Sequence, residues 1–547
     1  MKAMMKKIRT LAGLTALALL LSSCGNVSVT ISKAPGSANK DIVVLFTNDV
    51  HSGVDGGIGY AGVSAYKKKM IEEGNDVILV DNGDFVQGGR MGLITKGEAI
   101  IRIMNKVGYD IAVPGNHEFD YGVDQFFKDV EMSDFSYISC NFIDLRTGEK
   151  IFDPYIIREL GGKKVAFIGA TTPSAITTAT PKFFKDENGE YIYDFCGGSD
   201  SSVFYKAVQD AVDSARAEGA DYCILIAHLG ISSADAPYMS TDIIANTKGI
   251  DVVCDGHSHT VMEQEYVKNA EGKNVILAQT GSYLKNIGKL TIKPDGSMET
   301  ILISDVEEKD ESITEAIKKE EDAYADIINR VVVNSDFDLK ATTEDGGWLI
   351  RNKETNFGDL EADAAKKATG AEIGLMNGDV VKSSLNKGEI TYGDLLDSIH
   401  FGSKITSRWI KGQELLDALE YSVSFLPDDF GGFLQVSGLT FDVDLNKDAG
   451  VERDANRMFK GFTKDERRIS NVKVNGEPID PEREYIVGGN EYILFVYGNG
   501  YSMFTGERVD EDMNLLHIDV LEDYLTSFGG GIPSEYEESQ ERIHFIE

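Results

Sequence analysis

The chain is poor in cysteine, in positive charge and in long apolar runs, and each shortage removes a class of protein. It has five cysteines in 547 residues and no Cys-x-x-Cys pair, which argues against a disulfide-stapled scaffold and a thiolate zinc site. Cys140, Cys223 and Cys254 lie in apolar strand-like runs and Cys196 in a Gly/Ser/Asp-rich loop. Buried free thiols are expected there, although one disulfide stays compatible with the pattern. Lysine and arginine number 54 against 90 aspartates and glutamates, a net charge of −36 that argues against binding nucleic-acid polymers. A small anionic ligand meets the same repulsion, so a site for one must bring its own positive charge, as metal ions do. Beyond residue 21 no apolar run is long enough to span a membrane. What is present is a 42% hydrophobic fraction, suited to a globular protein, in a chain too long for one ordinary core. Two domains are the default.

The N-terminus reads as a processing segment. Lys2, Lys6, Lys7 and Arg9 precede an apolar run over 11–21, followed by Leu21-Ser22-Ser23-Cys24. That order looks like a bacterial lipoprotein cleavage box. It implies a signal peptide over 1–23, lipid on the Cys24 thiol, and export to the periplasmic or extracellular face of a bacterial membrane. Residues 24–40, rich in Ser, Lys, Ala, Gly and Asn, suit a flexible tether.

From 41 to 305 strand-like and helix-like segments alternate. Strands are expected over 41–47, 77–81, 109–113, 135–142, 164–170, 222–227, 250–254, 274–279 and 288–293. Helices are expected over 62–74, 97–107 and 202–218. Such alternation reads as a layered α/β domain. Residues 306–330 are charged and helix-prone, with Ile313, Ile317, Ala323 and Ile327 near helical spacing, and read as a linker helix. A second unit covers 331–547, with helices over 360–368, 392–398 and 411–421 and strands over 371–376, 438–443, 469–474 and 484–488.

Chemistry-bearing residues cluster just after the strands of the first unit, where α/β sheets carry their sites. Asp49 and His51 follow the first strand and Asp84 the second. Gly115-Asn116-His117-Glu118-Phe119-Asp120 follows the third, His228 a later one, and Gly256-His257-Ser258-His259 another. Five of the eight histidines thus stand at strand ends, interleaved with Asp49, Asp84, Asn116 and Asp120. Carboxylate, amide and imidazole ligands suit manganese, zinc, iron or cobalt. The set is large enough for two divalent ions, which can share a carboxylate and generate a hydroxide nucleophile at neutral pH.

The order Asp-x-His, Gly-Asp, Gly-Asn-His-Glu-x-Asp, His, Gly-His-x-His resembles the calcineurin-like metallophosphoesterases. Gly83-Asp84-Phe85-Val86-Gln87-Gly88 and Thr95-Lys96-Gly97-Glu98-Ala99 narrow the resemblance to the bacterial 5′-nucleotidase and UDP-sugar hydrolase family, from about residue 41 to 504. It implies a four-layer α/β/β/α metallophosphatase domain and a C-terminal α/β substrate-binding domain. It further implies one metal on Asp49, His51, Asp84 and His259, and a second on Asp84, Asn116, His228 and His257. His117 would face the phosphate with Asp120 orienting it, while Glu118, Gly115 and Gly256 would be structural, the glycines permitting tight turns.

For the second unit the resemblance points to Arg351 and Asn377. It points also to Lys382, where an arginine is usual, Phe401 and Tyr492 as a base clamp, and Asn499 where an aspartate is usual. The expected activity is 5′-nucleotidase, releasing phosphate by in-line attack of hydroxide on small nucleotides. UDP-sugar diphosphatase and 2′,3′-cyclic-nucleotide 2′-phosphodiesterase are alternatives, as is a non-catalytic nucleotide- or metal-binding surface lipoprotein. The membrane is expected as a partner only through the lipid, and no protein partner is expected.

Overall fold

The computed structural model describes residues 40–546, apart from 180, 199, 233, 234, 344, 345, 400, 401, 449, 454–457, 511, 512 and 514. The expected signal peptide, tether and Cys24, and the expected clamp residue Phe401, lie outside the described residues.

Two six-stranded sheets face one another in the first unit. One runs Met298–Ile303, Ile287–Ile292, Ile42–Thr47, Asp76–Asp81, Ile111–Ala112, Ser136–Tyr137. The other runs Val261–Lys268, Asn274–Thr280, Val252–Cys254, Tyr222–His228, Lys163–Thr171, Tyr155–Leu160. Their central strands are parallel, with antiparallel strands at every edge except Ser136–Tyr137, which pairs in parallel. The runs are apolar on both faces because both faces are covered. Ile42, Val44 and Phe46 meet Phe167, Ile224 and Ile226 of the facing sheet. Val43 and Leu45 pack instead with Tyr60, Val63, Ile100 and Met104 of the helices Gly59–Glu72 and Glu98–Val107. Ile168, Cys223 and Leu225 pack with Phe204, Val208 and Val212 of the helix Ser202–Ala217. The result is the expected α/β/β/α sandwich. Cys140, Cys196, Cys223 and Cys254 are all buried free thiols.

Some elements differ from expectation. The strand expected over 109–113 shortens to Ile111–Ala112, because Pro114 has no N–H for the ladder and the chain turns away there. The run 135–142 serves both sheets: Ile138 donates to Ala112 O in one and Cys140 to Gly169 O in the other, leaving only Ser136–Tyr137 as regular strand. The single linker helix is two, Glu311–Ala323 and Ala325–Ile328, broken at Tyr324 (φ −109°, ψ 9°), whose side chain is buried in the first unit's core with Ile313 and Ile317.

The second unit holds a five-stranded mixed sheet in the order Leu434–Ser437, Ile373–Asn377, Glu484–Asn490, Lys404–Lys411, Leu515–Leu516. A four-stranded sheet and the helices Asn356–Thr369, Tyr392–Ser398, Gly412–Val423 and His517–Thr526 are its other main elements. Thr355 caps the first of these helices, its hydroxyl accepting from Gly358 N at 3.0 Å, and Gly370 ends it with φ +65°.

Candidate active site

Parallel pairing in register brings the strand ends together. Thr47 pairs with Asp81, so the segments after them emerge side by side. Likewise Ile226 pairs with Cys254, which sets His228 beside the turn carrying His257 and His259. Two triads result, Asp49–His51–His259 and Asp84–His228–His257, with the ligand atoms of each within 4.8 Å of one another. They adjoin: His228 Nε2 lies 3.0 Å from Asp84 Oδ2 and 4.0 Å from Asp49 Oδ1. Asn116 Oδ1 joins the second group, 3.2 Å from His228 Nε2.

The ring hydrogen bonds orient the ligands. His51 Nδ1 faces Gln87 O at 3.3 Å and His228 Nδ1 faces Asn82 O at 2.8 Å. A carbonyl only accepts, so each Nδ1 carries a proton and each Nε2 is turned towards the site. The Asp235 carboxylate holds His257 Nε2 at 3.2 Å in the same way, leaving Nδ1 free. Burial pushes the Asp49 carboxyl well above its ordinary range and pulls the His51 ring down to about 4. Both shifts mark a dry site whose acidic and neutral donors suit cations, and the donor types fit two divalent ions.

The backbone is strained at these ligands. Asp49, His51, Asp84, His257 and His259 all have φ between 47° and 75°, a region costing non-glycine residues about 1–2 kcal/mol each. Close packing fixes that geometry. The Glu118 carboxylate, fully buried, accepts from the backbone N–H groups of Asp84, Phe85 and Gly115 at 2.6–2.8 Å. A Cβ on Gly115 would lie 2.3 Å from Asp84 Oδ1, and one on Gly256 would lie 3.0 Å from Asp49 Oδ2. At these two glycines, neither of which has a positive φ, the missing side chain permits close approach to the ligands.

Asp120 Oδ2 accepts from His117 Nδ1 at 2.7 Å. Asp120 is wholly enclosed, whereas the His117 side chain keeps 28% of its surface open, beside His51. Burial favours the neutral His117 ring, but the Asp120 and Asp84 carboxylates outweigh it and raise the group to about 9. Asp120 Oδ1 is taken by Lys404 Nζ of the second unit at 2.9 Å.

Lys404 also lines a cavity of about 420 Å³ with Asn377, Asp379, Ser403, Asn490 and Tyr492. Tyr492 stands 45% exposed there, its ring against Gly498. Arg351 stacks on Trp348 at 3.6 Å and pairs with Asp379 at 3.1 Å, and Asn499 also donates to Asp379, at 2.9 Å. Asn377 donates to Asn499 at 3.3 Å. Lys382 is not brought into this lining; it lies near Asp397 and Arg90, where burial lowers its ammonium. Asp379 and Lys404 were missed from sequence. Asp379 stands two residues after Asn377, in the segment the resemblance had already singled out. Lys404 had no signal, because its strand, Lys404–Lys411, mixes buried Thr, Ser and Arg with apolar residues.

Comparison with known proteins assigns the class. Residues 42–261 match the calcineurin-like phosphoesterase model and residues 340–506 the 5′-nucleotidase C-terminal domain. The chain thus carries a calcineurin-like phosphoesterase domain, a class whose members use two divalent metal ions. That domain is followed by a 5′-nucleotidase C-terminal domain, and the two models together span most of the described residues. It is 27% identical over 554 residues to the trifunctional nucleotide phosphoesterase protein YfkN of Bacillus subtilis, covering 91% of this chain but 34% of that protein, so it spans about a third of that relative. A 5′-nucleotidase of Vibrio parahaemolyticus is 26% identical over 490 residues, covering 79% of this chain and 84% of the relative. The solved 5′-nucleotidase precursor of Thermus thermophilus is 26% identical with a TM-score of 0.56, covering 92% of this chain and 99% of that one.

Proposed function

We propose that the chain is an exported, lipid-anchored phosphohydrolase that releases phosphate from nucleoside 5′-monophosphates. The observation that carries the reading is the meeting of the two ligand triads and His117 with the second unit's cavity, through Lys404. Asp49, His51, Asp84 and His259 would hold one ion, and Asp84, Asn116, His228 and His257 the other, Asp84 being shared. Bound divalent ions supply a nucleophile at neutral pH and positive charge for phosphoryl oxygens. Asp120 holds His117 by its Nδ1–H and favours the charged ring, so Nε2–H remains to stabilise charge growing on the phosphoryl group or the leaving oxygen. Asn377 and Tyr492 would receive the nucleoside, with Arg351 and Asn499 behind Asp379. Export and anchoring rest on the order of residues 1–24, and the localisation follows from them.

The pairing of Arg351 with Asp379 leaves this pocket less cationic than its arginine suggests, which keeps UDP-sugars and cyclic nucleotides in view as substrates. The test is a panel of nucleoside monophosphates, UDP-glucose and 2′,3′-cyclic AMP with manganese- or zinc-loaded protein. Release of phosphate from AMP at the highest kcat/KM is the expected result. No release from any nucleoside monophosphate overturns the nucleotidase reading.

A further inference from the structure

Lys404 is a costly residue to bury. It is 5% exposed, yet its ammonium carries a full charge, and desolvating that charge is tolerated only against a partner. The ammonium donates to two acceptors of the first unit: Asp120 Oδ1 at 2.9 Å and the Thr178 carbonyl at 2.7 Å. Asp120 is in the reciprocal position, enclosed, with one oxygen on His117 and the other on Lys404. Without Lys404 that second oxygen would be a buried carboxylate atom lacking its charged partner.

The strand that delivers Lys404 also builds the cavity wall. Lys404 opens Lys404–Lys411, directly after Gly402 and Ser403, which line the cavity. Ser403 accepts from Asn490 at 3.2 Å, and Asn490 donates to Asn377 at 3.3 Å. On the other side, Gly402 is packed against the Gln87 side chain, and Gln87 O holds the His51 ring. Further contacts hold the units together here: Arg90 with Asp397, and Leu93 and Ile94 against the second unit's core.

We propose that Lys404 is a positioning residue supplied by the second domain, which completes the His117–Asp120 pair across the contact between the two domains. It acts through Asp120, fixing the carboxylate plane so that its other oxygen meets His117 Nδ1. Turnover then depends on a domain that contributes none of the candidate metal ligands. This rests on the phosphohydrolase reading above.

The test is a double-mutant cycle on metal-loaded protein, with AMP as substrate and metal content and melting recorded for each variant. Lys404→Met should lower kcat by about 10–100-fold, with metal content unchanged and a smaller change in KM. In an Asp120→Asn background the same substitution should cost less than about 2-fold, because the residue through which Lys404 acts is already disabled. Multiplying losses, or an unchanged kcat in Lys404→Met, would overturn the proposal. If Lys404→Met fails to fold, Lys404→Gln, which keeps a donor without the charge, is read in the same cycle by the same criteria. Wild-type protein without metal-dependent phosphate release would instead defeat the underlying reading, so the two failures are distinguishable.

Discussion

Asp84 is held from every side: its N–H donates to Glu118, its Oδ1 accepts from His117 N at 2.8 Å, and its Oδ2 faces His228. Such a residue tolerates no crowding. A methyl group on Gly115 would meet both Asp84 Oδ1 and Asp84 N, at 2.3 and 2.7 Å, so backbone has to move. Gly115→Ala is expected to weaken metal binding by at least about 10-fold and to cost about 1–3 kcal/mol of stability, read by metal titration and thermal melting. His117→Asn is expected to act differently. General acid–base groups contribute about 10²–10⁴-fold, so kcat should fall by that order while metal content persists, since the ring is not placed among either triad. Full activity in this variant would remove His117 from the chemistry. At this scale the sequence was informative: residue type and position after strands gathered the candidate ligands together with His117 and Asp120, and only the family resemblance separated the two groups. The positive φ at five of the ligands was not visible, because it arises from the packing of four segments that are far apart in the chain.

At the scale of elements, continuous apolar runs such as Ile-Val-Val-Leu-Phe announced the buried parallel strands. The edge strands Tyr155–Leu160, Val261–Lys268 and Met298–Ile303 escaped, since their partly exposed faces dilute the apolar signal. The helix Val123–Met132 escaped too, and it carries a buried acid. Asp129 is 2% exposed, and burial raises its carboxyl to about 7, with Gln125 donating at 3.0 Å. A carboxyl whose folded pKa lies above its unfolded value favours the folded state when protonated. That contribution is complete below about pH 4 and is lost as pH rises to about 7, at about 1.4 kcal/mol per unit. Asp129→Asn removes the dependence. The stability gap between variant and wild type, followed by denaturant melts, should therefore widen in the variant's favour from pH 4 to 7 and stay level above. A gap independent of pH would show that Asp129 ionises freely in the fold.

Across the whole molecule, a chain of net charge −36 buries Asp49 and Asp84, among other carboxylates, where cations are needed. Removing those cations should loosen the fold as well as stop turnover. Ligand at 100 times its Kd stabilises by about 2.7 kcal/mol per site, so chelation should lower the melting temperature by several degrees and manganese should restore it. The two-domain plan was legible from the change of character near residue 306, but the joint between the domains was not. Lys404 and Asp120 are 284 residues apart, and no local pattern announces a contact of that kind.

Both triads and the shared Asp84 stand or fall on metal stoichiometry. The direct measurement is a titration of metal-free protein with manganese while phosphate release from AMP is followed. Activity should rise mainly across the second equivalent and level off at two ions per chain. Full activity at one equivalent, or activity in metal-free protein, would contradict a site built for a pair of ions.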